Sequence, residues 1–148
     1  MICPLFCWCL DIKSYDLENS IDFVLYRTAT AFRNALDFEL RRNAGVTFGR
    51  WKILTLLSKQ DGLSQKEIAD RLEVKGPSLI PIIDKMEMKG LLTRVDTDDR
   101  RDNKIYLTPI TDSKWDSLFD CSVHVRETSG SGIPQDHVKV MRNVLERI

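Results

Sequence analysis

The sequence predicts a mostly α-helical fold with one small β-hairpin. Apolar side chains recur at helical spacing through most of the chain, whereas the segments LLTRV and KIYLT have the character of strands. A length of 148 residues fits one domain with helical additions, and 43% hydrophobic with 30% charged residues fits a soluble globular chain. The formal net charge of zero gives no sign of a nucleic-acid or membrane partner, so any charged binding surface must be local.

Residues 1–16 form a predicted N-terminal extension with three of the four cysteines. The run MICPLFCWCLD is too short to span a membrane, and it lacks both a preceding basic residue and a small-residue cleavage site. We therefore expect a cytoplasmic protein with reduced thiols and no membrane partner. Cys3, Cys7 and Cys9 do not have the spacing of a zinc site, so we expect no metal and no cofactor, with metal binding by these thiols as the alternative.

Two helices are predicted in the first third of the chain. Residues 17–43 place an apolar stripe along a long helix, and this stripe is wider than one domain needs to cover, which indicates burial against a second chain. A break at residues 45–46 separates it from a second helix that stops at Gly62. The second helix is predicted from four apolar side chains at helical spacing: Phe48, Trp51, Leu54 and Leu57.

Two short helices and then the two strands are predicted next. Ser64 and Glu67 have the spacing of a capping box, which begins the first of these helices. Pro77 suits the first turn of the second helix, and Gly90 suits the position just past its end. A helix-turn-helix followed by a hairpin with the long charged loop DTDDRRDN is the arrangement of a winged helix.

The charged loop has a physical role in this interpretation. The second helix of a winged helix lies in the major groove of DNA, and the hairpin lies beside the minor groove, where the negative potential attracts arginine. Arg100 and Arg101 would reach phosphates and the groove floor, and Asp99 would hold a guanidinium in one orientation. The alternative is a solvated hairpin tip that binds nothing.

Two further helices are predicted to close the chain. The first begins at a cap formed by Thr111 and Asp112, and the segment TSGSG after it is a flexible joint. The last helix is predicted to turn Val138, Met141 and Leu145 inward.

The run LSQKEIADRLEVKGPSLIPIIDKMEMKGLLTRVDTDDRRDNKIYLT resembles the MarR family of bacterial transcriptional regulators, and most closely its SlyA-like members. The resemblance is carried by the LSQKEIADRL helix, the GPSL…IIDKMEMKGLL helix and the acid-x-Arg wing at Asp99 and Arg101. It implies a homodimer that reads a palindromic site in double-stranded DNA, with recognition helices roughly 34–36 Å apart. It also implies a helical dimerisation region at 17–46 and 109–148, around a winged DNA-binding lobe at 47–108.

The resemblance further implies which residues contact DNA. Arg101 matches the minor-groove arginine of the family, and Asp99 matches its orienting partner. The other candidates lie on the two short helices and the loop: Ser64, Gln65, Lys66, Lys75, Ser78, Pro81, Lys85 and Arg100. Pro81 departs from the family pattern, which has a polar or basic residue there. Because proline donates no hydrogen bond and clashes with the carbonyl of Pro77, we expect weaker base readout and a local kink or widened turn, but not a broken helix.

Family members often respond to small aromatic ligands or to oxidants. The resemblance gives a candidate ligand site at Tyr26, Phe48 and Trp51, and ordinary packing of these rings in the core is the alternative. The cysteine position of the oxidant-sensing members is occupied by Asp22, which argues against that mechanism. The three N-terminal cysteines leave thiol-based redox sensing as an alternative.

Two functional classes other than a DNA-binding regulator are an enzyme and a protein-binding module. An enzyme is not predicted, because no Ser/His/Asp or Cys/His arrangement is apparent and the carboxylates cluster in surface turns. A winged-helix dimer that binds protein remains an alternative. Pro81 favours it, and the paired arginines of the loop argue against it.

Overall fold

The computed structural model describes residues 16–96 and 103–147. Within these residues the chain forms six helices and three short strands, which confirms the predicted fold class. The elements are α1 (Ile21–Ala44), α2 (Phe48–Lys59), β1 (Leu63–Ser64), α3 (Gln65–Arg71), α4 (Gly76–Glu87), β2 (Leu92–Val95), β3 (Lys104–Leu107), α5 (Pro109–Ser129) and α6 (Gln135–Leu145). No helix in this part of the chain is long and apolar enough to cross a membrane. Several residues singled out above lie outside the described ranges: Cys3, Cys7, Cys9, Asp99, Arg100 and Arg101.

The core joins α2, α3 and α4 to the sheet, and the C-terminal half of α1 and the middle of α5 pack beside them. Its fully buried side chains are almost all aliphatic: Leu36, Leu40, Ile53, Leu54, Leu57, Leu63, Ile68, Ile83, Met86, Leu92, Ile105 and Leu118. Each such side chain contributes about 1.5–3 kcal/mol on full burial. The core therefore holds α4 from one side and leaves its opposite side free.

The sheet is antiparallel in the order β1-β3-β2, and its first strand was not predicted. In β1, Leu63 pairs with Ile105 and Ser64 pairs with Lys104. Gly62 precedes the strand with φ +74° and donates its N–H to the carbonyl of Ile105 at 3.0 Å. A Cβ on this glycine would lie 2.9 Å from the ring of Tyr106, so a side chain does not fit there. This pairing joins the start of α3 to the second strand of the hairpin.

The start of α5 differs from the prediction. The helix begins at Pro109, with Thr108 as its N-cap, and not at Thr111 or Asp112. Proline suits the first helical position, since its missing N–H has no helical partner there. Thr111 is buried instead, and its hydroxyl donates to the carbonyl of Leu91 at 2.6 Å. The predicted flexible joint is also shorter than expected, because α5 continues to Ser129.

The last helix does not turn its apolar side chains into the core of its own chain. α6 has no buried residue; Met141 is 51% exposed and Leu145 is 43% exposed, and Val138 is half-buried. The prediction of an inward face is therefore wrong for a single chain. The helical spacing that placed these side chains on one face gave no information about which surface would cover that face.

Candidate nucleic-acid interface

The first helix of the pair is fixed at its N-terminus by the predicted capping box, which the structure confirms. The hydroxyl of Ser64 accepts the N–H of Glu67 at 3.3 Å, and the carboxylate of Glu67 accepts the N–H of Ser64 at 2.8 Å. Lys104 of β3 donates to the same carboxylate at 3.0 Å. These hydrogen bonds, led by that of the Ser64 N–H, lower the pKa of Glu67 to about 2. The carboxylate is therefore ionised at neutral pH and holds β3 to the start of α3.

The predicted DNA-contacting residues of this first helix differ in their accessibility. Ser64 is only 4% exposed and its hydroxyl is used in the cap, so its contribution is to position α3. Gln65 is half-buried, and Lys66 is exposed. Of the three, Lys66 is the best placed to reach a phosphate.

The second helix, α4, presents one face to the core and the opposite face to solvent. Its buried side chains are Leu79, Ile83 and Met86, and half-buried Ile82 packs against the same core. The exposed face carries every candidate that was named on this helix and its N-cap: Lys75, Ser78, Pro81 and Lys85. Gly90 follows the helix with φ +67°, which also agrees with the prediction.

Pro81 lies in the second turn of α4, and the helix runs unbroken through it. A proline at this position removes the N–H that would bond to the carbonyl of Pro77. The expectation that Pro81 would not break the helix is thus confirmed. The surface at this point is a pyrrolidine ring, which has no hydrogen-bonding group.

Arg94 of β2 joins the hairpin to the C-terminal half of α4. Its guanidinium donates to the carboxylates of Asp84 and Glu87, and its backbone N–H donates to Glu87 at 3.0 Å. Burial acts to lower the pKa of Arg94, but the hydrogen bond to Asp84 and the charge of Glu87 outweigh it and raise that pKa. The side chain is 19% exposed, so the network is partly shielded from water. It fixes the direction in which the hairpin leaves the helix.

The sequence pattern did not predict this network of Arg94 with Asp84 and Glu87. Asp84 and Glu87 are three residues apart and therefore lie on one face of α4, which is a signal for a shared cation. The strand pattern around Arg94 gave no indication of which helix that cation would meet.

The two strands fix the ends of the charged loop. Val95 at the end of β2 pairs with Lys104 at the start of β3. The loop arginines that lie between these positions in sequence are outside the described residues, so their contacts with DNA stay predictions.

The aromatic candidates for a ligand site are only partly brought together. The rings of Phe48 and Trp51 stack at 5.7 Å between centroids, and the ammonium of Lys52 lies 5.6 Å from the ring centre of Phe48. Tyr26 lies on α1 about three turns, roughly 16 Å, before Asp37, whose carboxylate accepts the N–H of Phe48 at 2.7 Å. Within one chain Tyr26 is therefore far from the other two rings.

Trp51 lines an open groove on α2, with a volume of about 200 Å³. The other lining residues are Lys52, Thr55, Leu56, Lys59 and Leu72. Two ammonium groups beside an indole ring suit a small aromatic anion better than a neutral apolar molecule.

Cys121 is a buried thiol between α5 and α1. Its Sγ donates to the carbonyl of Glu39 at 3.5 Å, and burial raises the pKa of the thiol. A thiol in this state is protonated at neutral pH and is a poor nucleophile. Across residues 16–96 and 103–147 no cluster of three or more His, Cys, Asp or Glu side chains could hold a metal ion.

The capped helix α3, the exposed helix α4 and the hairpin that half-buried Arg94 holds to α4 together define the winged helix-turn-helix class. The sequence profile of the MarR family matches residues 46–102, which span this unit. The chain belongs to the MarR family of transcription regulators. Membership of the SlyA-like branch stays a prediction.

Similar proteins agree with this assignment. The regulator TtmR of Methylorubrum extorquens (strain PA1), described as an HTH-type transcriptional regulator, is 32% identical over 93 residues, which are 62% of this chain and 47% of TtmR. The crystal structure of the transcriptional regulator PA3341 has 31% identity and a TM-score of 0.76, over 86% of this chain and 94% of that chain. A MarR-family regulator from Rhodococcus sp. RHA1 has 25% identity and a TM-score of 0.80, over 90% and 94%. The chain spans about half the length of the curated relatives it matches.

Proposed function

We propose that this chain is a homodimeric DNA-binding regulator that reads a palindromic duplex site, with α4 in the major groove and the loop arginines in the minor groove. The observation that carries the proposal is the exposed face of α4 beside a hairpin that Arg94 fixes in one direction. A rigid connection between these two elements lets both grooves be engaged at once without a further ordering cost. In this proposal residues 47–108 form the DNA-binding lobe, and residues 17–46 and 109–148 form the dimerisation region.

The charges around the helix pair support binding to phosphate. Four exposed lysines lie on α3, on α4 or directly beside α4: Lys66, Lys75, Lys85 and Lys89. The carboxylates of Asp84 and Glu87 on α4 are paired with Arg94. The local charge that DNA meets is therefore more positive than the net charge of zero suggests.

Replacing Arg101 with alanine tests the wing. Arg101→Ala should weaken binding by about 1–3 kcal/mol and reduce the slope of affinity against salt by about one phosphate contact. The measurement is an anisotropy titration of a labelled duplex, obtained by selection from a randomised library, at several salt concentrations.

Arg126→Ala is the matched control, because Arg126 is an exposed arginine on α5 outside the lobe. It should leave both the affinity and the salt slope unchanged. If Arg101→Ala behaves like this control, the wing does not contact DNA.

We also propose that a small aromatic anion releases the protein from DNA by binding in the groove beside Trp51. Benzoate is a suitable probe, since its carboxylate can pair with Lys52 or Lys59 while its ring contacts the indole.

Benzoate should quench the fluorescence of Trp51 and weaken DNA binding in the same concentration range. Trp51→Phe should lose both effects, whereas Trp115→Phe should keep both; release by benzoate that survives in Trp51→Phe would place the ligand elsewhere.

A further inference from the structure

The outward face of α4 has few groups that can form hydrogen bonds. Pro77 and Pro81 are four residues apart, so they lie one above the other on the same side of the helix. Both are exposed, and Ile80 beside them is 46% exposed. Among residues 76–82 the side chain of Ser78 is the one polar group.

The next turn does not supply the missing donors at the centre of this face. Asp84 follows Pro81 after three residues, but its carboxylate is paired with Arg94. Pro77, Ile80 and Pro81 form an apolar strip on this face. Lys85 is exposed at one border of the strip, and Lys75 lies just before its first residue. The strip is thus apolar along its middle and positively charged at both ends.

The bases differ in how they meet such a surface. In the major groove guanine, cytosine and adenine present hydrogen-bonding groups at their edges, while thymine alone adds a methyl group. A polar base edge covered by a proline ring loses water without gaining a partner, whereas a methyl group loses water favourably. The flanking lysines match the phosphates on either side of a groove, and this favours DNA over an apolar protein surface as the partner of the strip.

We propose that α4 reads thymine methyl groups in the major groove through Pro77, Ile80 and Pro81. This inference rests on the proposed DNA-binding function and specifies the base that the recognition helix prefers. Ser78 supplies the single polar contact from the first two turns, and the lysines hold the helix against the backbone. Specificity at these positions comes from apolar contact and not from bidentate hydrogen bonds.

The test replaces thymine with deoxyuridine, which removes the methyl group and leaves base pairing unchanged. A duplex is first obtained by selection from a randomised library, and each thymine of its half-sites is then substituted in turn. We expect selected sites with thymine at the positions opposite the N-terminal turns of α4. Each contacted methyl that is removed should weaken binding by about threefold to fourfold, the value of one buried methyl group.

Two variants assign the effect to Pro81. Pro81→Arg adds a bidentate donor, so selection should shift from thymine to guanine at one position of each half-site, and sensitivity to deoxyuridine should disappear there. Pro81→Ala keeps a small apolar contact and should retain the preference for thymine. Thermal unfolding of both variants shows whether the lobe is intact.

The outcomes separate this inference from the function on which it rests. Salt-sensitive binding to duplex DNA that no deoxyuridine substitution weakens would overturn thymine recognition and leave DNA binding in place. Selected sites with G·C pairs opposite Pro81 would do the same. Failure of the folded dimer to bind any duplex would overturn both proposals and assign the apolar strip to a protein partner.

Discussion

Arg94 connects two elements of the lobe through a single guanidinium, and its removal has consequences for both. Arg94→Ala leaves the carboxylates of Asp84 and Glu87 side by side on α4 without their cation. Because both acids are partly exposed, water compensates part of the loss, and we expect the free energy of unfolding to fall by about 1–2 kcal/mol. Affinity for DNA should fall as well, since the hairpin loses its fixed direction. Urea unfolding and the duplex titration measure the two effects.

Two controls show whether the network or the charge alone matters. Arg94→Lys keeps the positive charge but not the planar fork, so it should lie between the wild type and the alanine variant. Arg126→Ala removes an exposed arginine and should change stability little. An Arg94→Ala variant as stable as the Arg126→Ala variant would show that the network contributes nothing to the fold.

Features of single residues were predictable where their physical cause is local. The capping box of Ser64 and Glu67 and the left-handed Gly90 depend on neighbours within a few positions, and both were found as predicted. The pairing of Arg94 depends on a helix and a strand meeting in space. A sequence pattern of one element contains no information about that meeting.

At the scale of elements, the helices were predicted because their apolar spacing extends over several turns. The sequence did not predict β1, because this strand has only two residues, Leu63 and Ser64, which directly precede α3. It exists through its pairing with Ile105 and Lys104, far along the chain. The predicted start of α5 was wrong for a related reason. Threonine is a common N-cap residue, but the hydroxyl of Thr111 donates a hydrogen bond to the carbonyl of Leu91 and does not cap the helix.

In the candidate interface, too, features with a local cause were predictable and features that depend on contacts between distant elements were not. The exposed positions on α4 could be predicted, because burial of one helical face determines which residues face away from it. The ligand site could not, because Tyr26 and Trp51 belong to different helices and their separation depends on where those helices cross. The acid-x-Arg motif predicts that the loop arginines contact DNA, and this contact stays a prediction.

At the scale of the whole molecule, two apolar surfaces are left exposed by the part of the chain that the structure describes. The N-terminal half of α1 leaves Ile21 70% and Tyr26 68% exposed. On α6 the exposed apolar side chains include Val144 and Met141. A monomer in water rarely tolerates such surfaces, so both are expected to be buried in the proposed homodimer.

A charge on α6 tests this expectation. Met141→Asp places a carboxylate in the proposed interface and should produce monomers in sedimentation experiments, because an unpaired buried charge is costly. Lys139→Asp introduces the same acid on the polar face of the helix and should leave the dimer intact. Binding to a palindromic site should fall steeply in the first variant, since a monomer engages one half-site at a time.

If Met141→Asp remains a dimer with unchanged duplex affinity, α6 is not part of the interface. The exposed half of α1 would then be the surface to examine, with Ile21→Asp as the corresponding variant.

The position of Pro81 in an unbroken helix also has an evolutionary consequence. Proline codons differ from a set of arginine codons by a single base, and the exchange restores to α4 a backbone N–H that can bond to the carbonyl of Pro77. A change in the preferred base would therefore not be opposed by a loss of stability. One point mutation would then be enough to redirect the proposed DNA recognition to a different set of promoters while the fold stayed as it is.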